Sequence, residues 1–413
     1  MNGSAGAPDR VSSYRWVTVG AWFFSSVSGF MVLNTMGILL PSISSEFHLQ
    51  PSQQGILVSS AFWGNLALAI PMSWWTSRYR PKVLTMVTLG LGTLFLFLQA
   101  SAPAFVALLS ARLVFGLTIL AREPARALLI QQWFPQREVV LVNGVGNALY
   151  GLVVGGGLAA TPLILGAMGD DWRMMLGIFG TYFAVVTALW TVLGRERVTT
   201  EYLKRAVPRE TGLLKGALTY RDLWVGGVGF MGASLAMSSF LSFLPTLMLD
   251  THHIPLRWSG IALAIDVVAG GAIGLGVGYV VMLRSNGKLF LKVFGLLMAT
   301  TYVGMALAAS VPLLLALAFL NGTAWGFWPI LHTVPFQLPG IRPREVAVAL
   351  AFTMMMISCG TVLGPLVVGF LQEALGDLRL TLLIIGFAPL SLSVAGTLLR
   401  VGSDRVVDTG RSQ

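Results

Sequence analysis

Val83-Leu-Thr-Met-Val-Thr-Leu-Gly-Leu-Gly-Thr-Leu-Phe-Leu-Phe-Leu-Gln-Ala-Ser-Ala102 runs for 20 residues without a charge. A helix of that length spans about 30 Å, the thickness of a bilayer's hydrocarbon core. The stretch lacks period-two alternation, and only a helix closes its own backbone hydrogen bonds in lipid over such a length. Working outward from it finds eleven more, so that the twelve run approximately over 16–40, 54–77, 83–102, 103–130, 139–168, 174–193, 223–249, 258–283, 289–310, 311–336, 346–371 and 380–400. Composition agrees: charged residues are 11% of the 413-residue chain and hydrophobic residues 55%, against about 25% charged in a soluble domain. The expected fold is all-α and integral to the membrane, with twelve transmembrane helices. The first span is too long for a signal-peptide core, and Pro41 is expected to end it with no cleavage pattern.

The chain carries 27 Lys and Arg against 17 Asp and Glu. Arg173, Arg257 and Arg379 fall in odd-numbered connections, and Arg112, Arg122 and Arg126 inside the fourth span. The remaining basic residues lie in the termini or in and beside the even-numbered connections. The positive-inside rule then places both termini in the cytoplasm and the chain in the plasma membrane, the inner membrane of a bacterial cell. The basic excess is a topological signal, so no nucleic-acid partner is expected. One cysteine, Cys359, excludes a disulfide framework and a cysteine zinc site, and four histidines leave little for a metal centre. His252-His253 reads as surface. No P-loop or G-x-G-x-x-G occurs, so neither a cofactor nor direct ATP coupling is expected. Asn2-Gly-Ser4 and Asn321-Gly-Thr323 match the glycosylation pattern but fall in the cytoplasm and the membrane.

The longest polar stretch, near Arg195 to Arg221, divides the spans six and six. Equivalent connections repeat their marks. Arg78…Lys82 and Arg284…Lys288 are 206 residues apart; Arg137-Glu138 and Arg344-Glu345 are 207 apart; Ala167-Met-Gly169-Asp170 and Ala374-Leu-Gly376-Asp377 are also 207 apart. The expected organisation is a six-helix bundle over 1–194, a cytoplasmic linker over 195–221 and a second bundle over 222–413. Pseudo-symmetric halves of this kind place a site near the midplane and can rock about it. Gly151-xxx-Gly155, Gly274-xxx-Gly278 and Gly360-xxx-Gly364 are expected to be packing surfaces.

With these marks the chain resembles the major facilitator superfamily over nearly its whole length. Arg112-Leu-Val-Phe-Gly116, Pro124 and Trp133-Phe-Pro135-Gln-Arg137-Glu138 are similar to the fourth helix and following loop of its anion:cation symporter group, with matching spacing. The group's usual glutamate midway along that helix falls on Ile119. The loop after the second helix has Ser77, Arg78, Arg80, Pro81 and Lys82 and lacks the superfamily's acidic residue. Gly360-xxx-Gly364-Pro365 keeps a second-half pattern. The resemblance implies a secondary active transporter, a monomer, whose first, fourth, seventh and tenth helices line a central cavity. It also implies gating loops at Arg78, Lys82, Arg137, Glu138, Arg284, Lys288, Arg344 and Glu345.

Charges within hydrocarbon are costly, and intramembrane ionisable residues are functional candidates. Span four holds Arg112, Arg122, Glu123 and Arg126. Arg112 and Arg122 are about 15 Å apart along the axis, so at least one lies well inside the bilayer. At 100° per residue Arg112, Glu123 and Arg126 share a face, with Arg122 offset by about 80°. A guanidinium stays charged when desolvated and binds carboxylate or phosphate bidentately. Arg112, Arg122 and Arg126 are therefore candidate anion ligands and Glu123 a candidate proton carrier. The competing account is a structural clamp between Glu123 and Arg126 or Arg122, or arginines snorkelling to the interface. In span eight, Asp266 is a second proton-coupling candidate or else an ion pair or hydrogen bond fixing helix packing. Asn34, Asn65, Asn143, Asn147 and Asn321 suit helix–helix hydrogen bonds. Asn34 and Asn321, on cavity-type helices, are also substrate-binding candidates. Trp325 and Trp328 flank a substrate or pack, and His332 is a third proton-coupling candidate.

The function these features point to is proton-coupled uptake of a small organic anion of carboxylate type by alternating access. Its partners are that substrate, protons and the lipid bilayer. The alternative is proton-coupled export of drugs or cations, against which counts the absence of a glycine-proline motif around Pro162. A membrane enzyme would need a dense set of nucleophile, base or metal ligands, and none is visible.

Overall fold

The computed structural model describes residues 13–68, 75, 79–135, 138–197, 219–284, 287–327 and 343–399, and every regular element among them is helical. Ten helical stretches are long and apolar enough to cross a membrane, and a shorter apolar helix, Val311–Ala324, accompanies them. The first span is α1 (Tyr14–Asn34) and α2 (Met36–Phe47), separated by a break at Thr35. Contrary to the expectation from sequence, Pro41 does not end this span; it lies inside α2. Its missing N–H is tolerated because neighbouring helices hold a membrane helix in place, and here Gly37 presses α2 against the backbone of Leu241 and Ser242.

The second span opens at α3 (Pro51–Ser60), where Gln50 and Gln53 form a capping box and Pro51 occupies the first turn. A break at Ala61 and Phe62 separates it from α4 (Trp63–Ala67), beyond which the span leaves the described residues. There follow α5 (Pro81–Ala100), α6 (Phe105–Trp133), α7 (Val139–Ala167) and α8 (Trp172–Leu193). After residues 198–218, which hold most of the expected linker and lie outside the description, come α9 (Arg221–Asp250), α10 (Leu256–Arg284), α11 (Gly287–Leu307) and α12 (Val311–Ala324). The expected tenth span continues only into a 3-10 turn at Trp325–Phe327 before its description stops. Last are α13 (Pro343–Leu375), α14 (Leu378–Gly386) and α15 (Leu390–Leu398), the final span being broken before Pro389.

The repeated Gly-Asp marks have one cause. Gly169 and Gly376 both adopt φ near +70°, a left-handed turn that suits glycine. Each precedes a helix capped by an aspartate: Asp171 accepts from the N–H of Arg173 and Met174, and Asp377 from Arg379 and Leu380. The capping partner of Asp377 is thus Asp171. Asp170, which the 207-residue spacing pairs with Asp377, is an extra left-handed residue at φ 63°.

α1 packs on α6, α7 and α8, and α5 on α6 and α8; α9 packs on α13 and α15, and α11 on α12 and α15. Contacts between these groups run along glycines. Gly55 of α3 meets Pro365, and Gly369 meets Pro51. Gly155 of α7 fits against Val268 of α10, and Gly260 against Leu158 and Pro162. Ser52 N–H also donates to Glu373. The α2–α9 contact lies in the first turn of α2, whereas the α3–α13 contact, with Ser52–Glu373, lies along the first half of α3. Gly360 and Gly364 seat α13 on α9 at Met231 and Leu235. The expected packing role of Gly274 is not seen as a close approach: a Cβ there would meet nothing within 4 Å.

Candidate functional site

Because α1 stops at Asn34 and α3 at Ser60, their last carbonyls lack intrahelical donors, and the apolar interior offers no water to replace them. Arg112 of α6, with no solvent exposure, supplies donors to both helices. Its Nε donates to the Leu57 carbonyl at 3.0 Å and its Nη2 to that of Leu33 at 3.4 Å, while Nη1 is buried without a partner. One turn on, Gly116 lies against Ala61 in the break after α3, where a Cβ would collide with the Ala61 carbonyl. The Arg112-x-x-x-Gly116 spacing therefore clamps α6 onto the interruptions of the first two spans.

Arg122 is different. It too has no exposure, yet among the described residues Nε, Nη1 and Nη2 all lack a hydrogen-bond partner. Room for it against α1 comes from Gly29, where a Cβ would stand 3.1 Å from Nη2 and 3.0 Å from Ile119. The neighbouring charges are engaged elsewhere. Glu123, half-buried, accepts from the Ser26 hydroxyl at 2.8 Å; Arg126 donates from Nη2 to Asn143 Oδ1 at 2.7 Å and its guanidinium lies 5.2 Å from the Phe23 ring centroid. Among the described ion pairs none joins Glu123 to Arg122 or Arg126. The structure brings Arg122, Glu123 and Arg126 together between α1, α6 and α7, with Arg112 apart at the broken ends of α1 and α3. Ser26, Gly29 and Phe23 of α1 were not singled out from sequence. The signal was the run Ser25-Ser26-Val-Ser28-Gly29, small and polar inside an apolar span.

A second polar group lies in α10, α11 and α12. Asp266, 2% exposed, accepts from Asn321 Nδ2 at 3.1 Å, and Asn321 Oδ1 accepts from the Thr301 hydroxyl at 2.8 Å. Gly322 permits this approach, since a Cβ there would strike the Asp266 carbonyl. Trp325, buried, packs its Cβ against Gly270. Asn34 donates to the Tyr150 hydroxyl at 3.3 Å, bridging α1 and α7, and Asn147 is exposed. Trp328 and His332 lie outside the described residues, as does the side chain of Asn65.

Of the expected gating residues, the Lys82 N–H donates to Glu196 Oε1 at 2.6 Å, and Glu138 pairs with Arg15 at 2.7 Å. The Lys288 carbonyl faces Gly396, 2.9 Å from a Cβ placed there. Arg78 and Arg137 lie outside the described residues, and so do the side chains of Arg284, Arg344 and Glu345.

Chemically, Arg122 offers three guanidinium nitrogens at the end of an apolar burial, with a titratable carboxylate one residue away. Burying a charge without a partner costs several kcal/mol, and an anion arriving at the guanidinium offsets that cost.

Comparison with known proteins matches residues 22–342 to the Major Facilitator Superfamily. The chain is 23% identical over 406 residues to the probable galactarate/D-glucarate transporter GarP of Escherichia coli (strain K12), covering 87% of this chain and 88% of that one. It is 23% identical over 404 residues to the hexuronate transporter of Bacillus subtilis (strain 168), covering 90% and 92%. Its fold is similar to the crystal structure of the nucleoside transporter NupG, with a TM-score of 0.76 at 14% identity, covering 94% of this chain and 99% of that one.

Proposed function

Because the chain belongs to the Major Facilitator Superfamily it is a multi-pass membrane transporter and not an enzyme, and we propose that it takes up a small organic anion, a carboxylate of sugar-acid size, together with protons. The observation that carries this is Arg122, wholly buried with three nitrogens unbonded. A carboxylate meets that guanidinium as a two-point ligand, and the charge-assisted bonds are among the strongest a binding site can offer. Arg126 adds a second positive charge to the same region, and Arg112 holds the broken helices that frame it. The relatives named for hexuronate and for galactarate/D-glucarate support the same substrate class.

Proton coupling is assigned to Glu123, with Asp266 and His332 as further carriers. Among the described residues Glu123 accepts from the Ser26 hydroxyl and forms no ion pair with Arg122 or Arg126. Glu123 directly follows Arg122 in α6, so the proposed proton carrier stands beside the proposed anion ligand, which links the two cargoes. Asp266 sits at the end of a Thr301–Asn321 hydrogen-bond chain that adjusts by rotation when its carboxyl gains a proton. In this proposal the bundles 1–194 and 222–413, joined by the linker 195–221, rock about the site in alternating access, with both termini in the cytoplasm, the chain in the plasma membrane and the monomer as the working unit. Gating motions involve Arg78, Lys82, Arg137, Glu138, Arg284, Lys288, Arg344 and Glu345. Asn34, Asn321, Trp325 and Trp328 complete the lining.

Uptake of a panel of radiolabelled carboxylates into proteoliposomes, with and without an acid-outside gradient, tests this. The expected result is accumulation of at least one sugar acid, increased by the gradient. Failure of every anion, together with gradient-driven export of a lipophilic cation, overturns it.

A further inference from the structure

α1 and α8 leave between them an open groove of about 310 Å³, away from the arginine cluster. It is lined by Trp16, Val17, Gly20, Phe24, Leu189 and Trp190, among other apolar residues. No lining side chain is charged. Val17 and Leu189 stand 41% and 46% exposed on its rims, and a Cβ on Gly20 would meet nothing within 4 Å, so the floor of the groove is vacant at Gly20. From Trp16 to Phe24 the groove follows about 12 Å of helix, less than the ~15 Å of one leaflet's hydrocarbon.

One end of the groove is apolar and the other is not. Tyr14 closes it by donating to the Leu193 carbonyl at 2.9 Å, and the Arg195 guanidinium lies 4.1 Å from the Tyr14 ring centroid. The Arg195 carbonyl is held by Trp133 Nε1 at 3.2 Å. Two carboxylates of this region have other partners: Glu138 pairs with Arg15, and Glu196 accepts from the Lys82 N–H. Among the described residues Arg195 has no carboxylate partner, and the residue is exposed. A guanidinium stacked on Tyr14, with no carboxylate partner among the described residues, at the polar end of an apolar trough shorter than one leaflet complements an anionic headgroup with an acyl chain. Tryptophans at Trp16 and Trp190 suit the same depth, where amphipathic rings sit at the headgroup boundary.

We propose that this groove binds one anionic glycerophospholipid, its acyl chain along α1 and α8 and its phosphate on Arg195. Basic sites of this kind beside apolar helix faces select anionic headgroups from the surrounding lipid. The site is peripheral to the transport pathway and independent of the cargo.

The test is native mass spectrometry and thermal unfolding of the full chain in detergent. The titrants are palmitoyl-oleoyl phosphatidylglycerol, phosphatidylcholine with the same chains, and inorganic phosphate. The expected result is a retained phosphatidylglycerol adduct and a rise of a few degrees in unfolding temperature, with phosphatidylcholine at least roughly tenfold weaker and phosphate without effect. Arg195→Gln removes the preference for phosphatidylglycerol, Arg195→Lys keeps part of it, and Gly20→Leu, which fills the trough, weakens both lipids. Equal binding of the two lipids by the wild type, or unchanged preference in Arg195→Gln, overturns the proposal. So does full retention by a folded Gly20→Leu.

Discussion

Arg112 and Arg122 are both without solvent exposure on one helix, and their nitrogens meet opposite fates. Arg112 donates to carbonyls that two interrupted helices leave free, whereas Arg122 donates to nothing. Their substitutions should separate accordingly. Arg112→Met leaves the Leu33 carbonyl without that donor and weakens the hold on Leu57, which keeps the Ser60 hydroxyl; a loss of roughly 1–3 kcal/mol is expected for a buried acceptor left unpaired. Arg122→Met removes a buried charge that has no partner and should leave stability unchanged or higher. Unfolding of the purified variants in detergent checks the contrast, and equal stability of Arg112→Met and wild type would remove the clamp. Helical angles from sequence group Arg112 with Glu123 and Arg126. The structure groups Arg122 with them instead, because α1 approaches α6 at Gly29 and brings Ser26 to Glu123. A helical wheel gives directions around one helix but carries no information on where its neighbours come closest.

At the scale of elements, hydropathy found the long helices and missed their interruptions. The breaks at Thr35 and at Ala61–Phe62 are met by donors from Arg112 and by room at Gly116, and the break before Pro389 has a local cause in the proline; Pro41, an equal local signal, leaves α2 intact. The Gly169 and Gly376 turns were legible as repeated marks, since a left-handed turn and an aspartate cap have a local sequence cause. The end of α2, beyond the membrane-crossing stretch Tyr14–Asn34, carries a testable clamp. Glu46 receives Arg173 at 2.7 Å and Trp172 Nε1 at 2.6 Å, while Arg173 also donates to the Ala100 and Ala102 carbonyls. The hydrogen bond from Arg173, opposed by partial burial, holds the Glu46 carboxyl below its ordinary value. A carboxyl whose folded pKa is depressed contributes stability above its unfolded pKa and loses it as pH falls through the folded one. Wild type should therefore unfold at a higher temperature than Glu46→Gln near neutral pH, and the gap should close as pH falls below the usual carboxylate range. The effect is small for a pair this exposed. A gap that persists in acid contradicts the assignment.

For the whole molecule, helices before residue 198 meet helices after residue 218 at α2–α9, α3–α13 and α7–α10. Composition and charge placement made the membrane fold legible, because water and lipid sort residues along the entire chain; the approaches themselves rest on glycines that no span count identifies. Gly151 and Gly271 are close neighbours across α7 and α10: a Cβ on Gly271 stands 3.8 Å from the Gly151 Cα, which keeps the two Cα atoms within about 5.3 Å, inside the range a disulfide spans. In a Cys359→Ser background, Gly151→Cys with Gly271→Cys should cross-link under oxidant and stop uptake, with recovery on reduction; undiminished uptake when cross-linked would rule out rocking along this seam. The central claim is that Arg122 receives the anion. It is tested most directly by uptake of radiolabelled D-glucuronate into proteoliposomes reconstituted with equal amounts of wild type, Arg122→Lys and Arg122→Gln. The prediction is accumulation by wild type, reduced accumulation by Arg122→Lys, and a loss of roughly ten- to a hundredfold in apparent affinity for Arg122→Gln, the worth of charge-assisted bonds to a carboxylate. Accumulation by Arg122→Gln with wild-type affinity would contradict it.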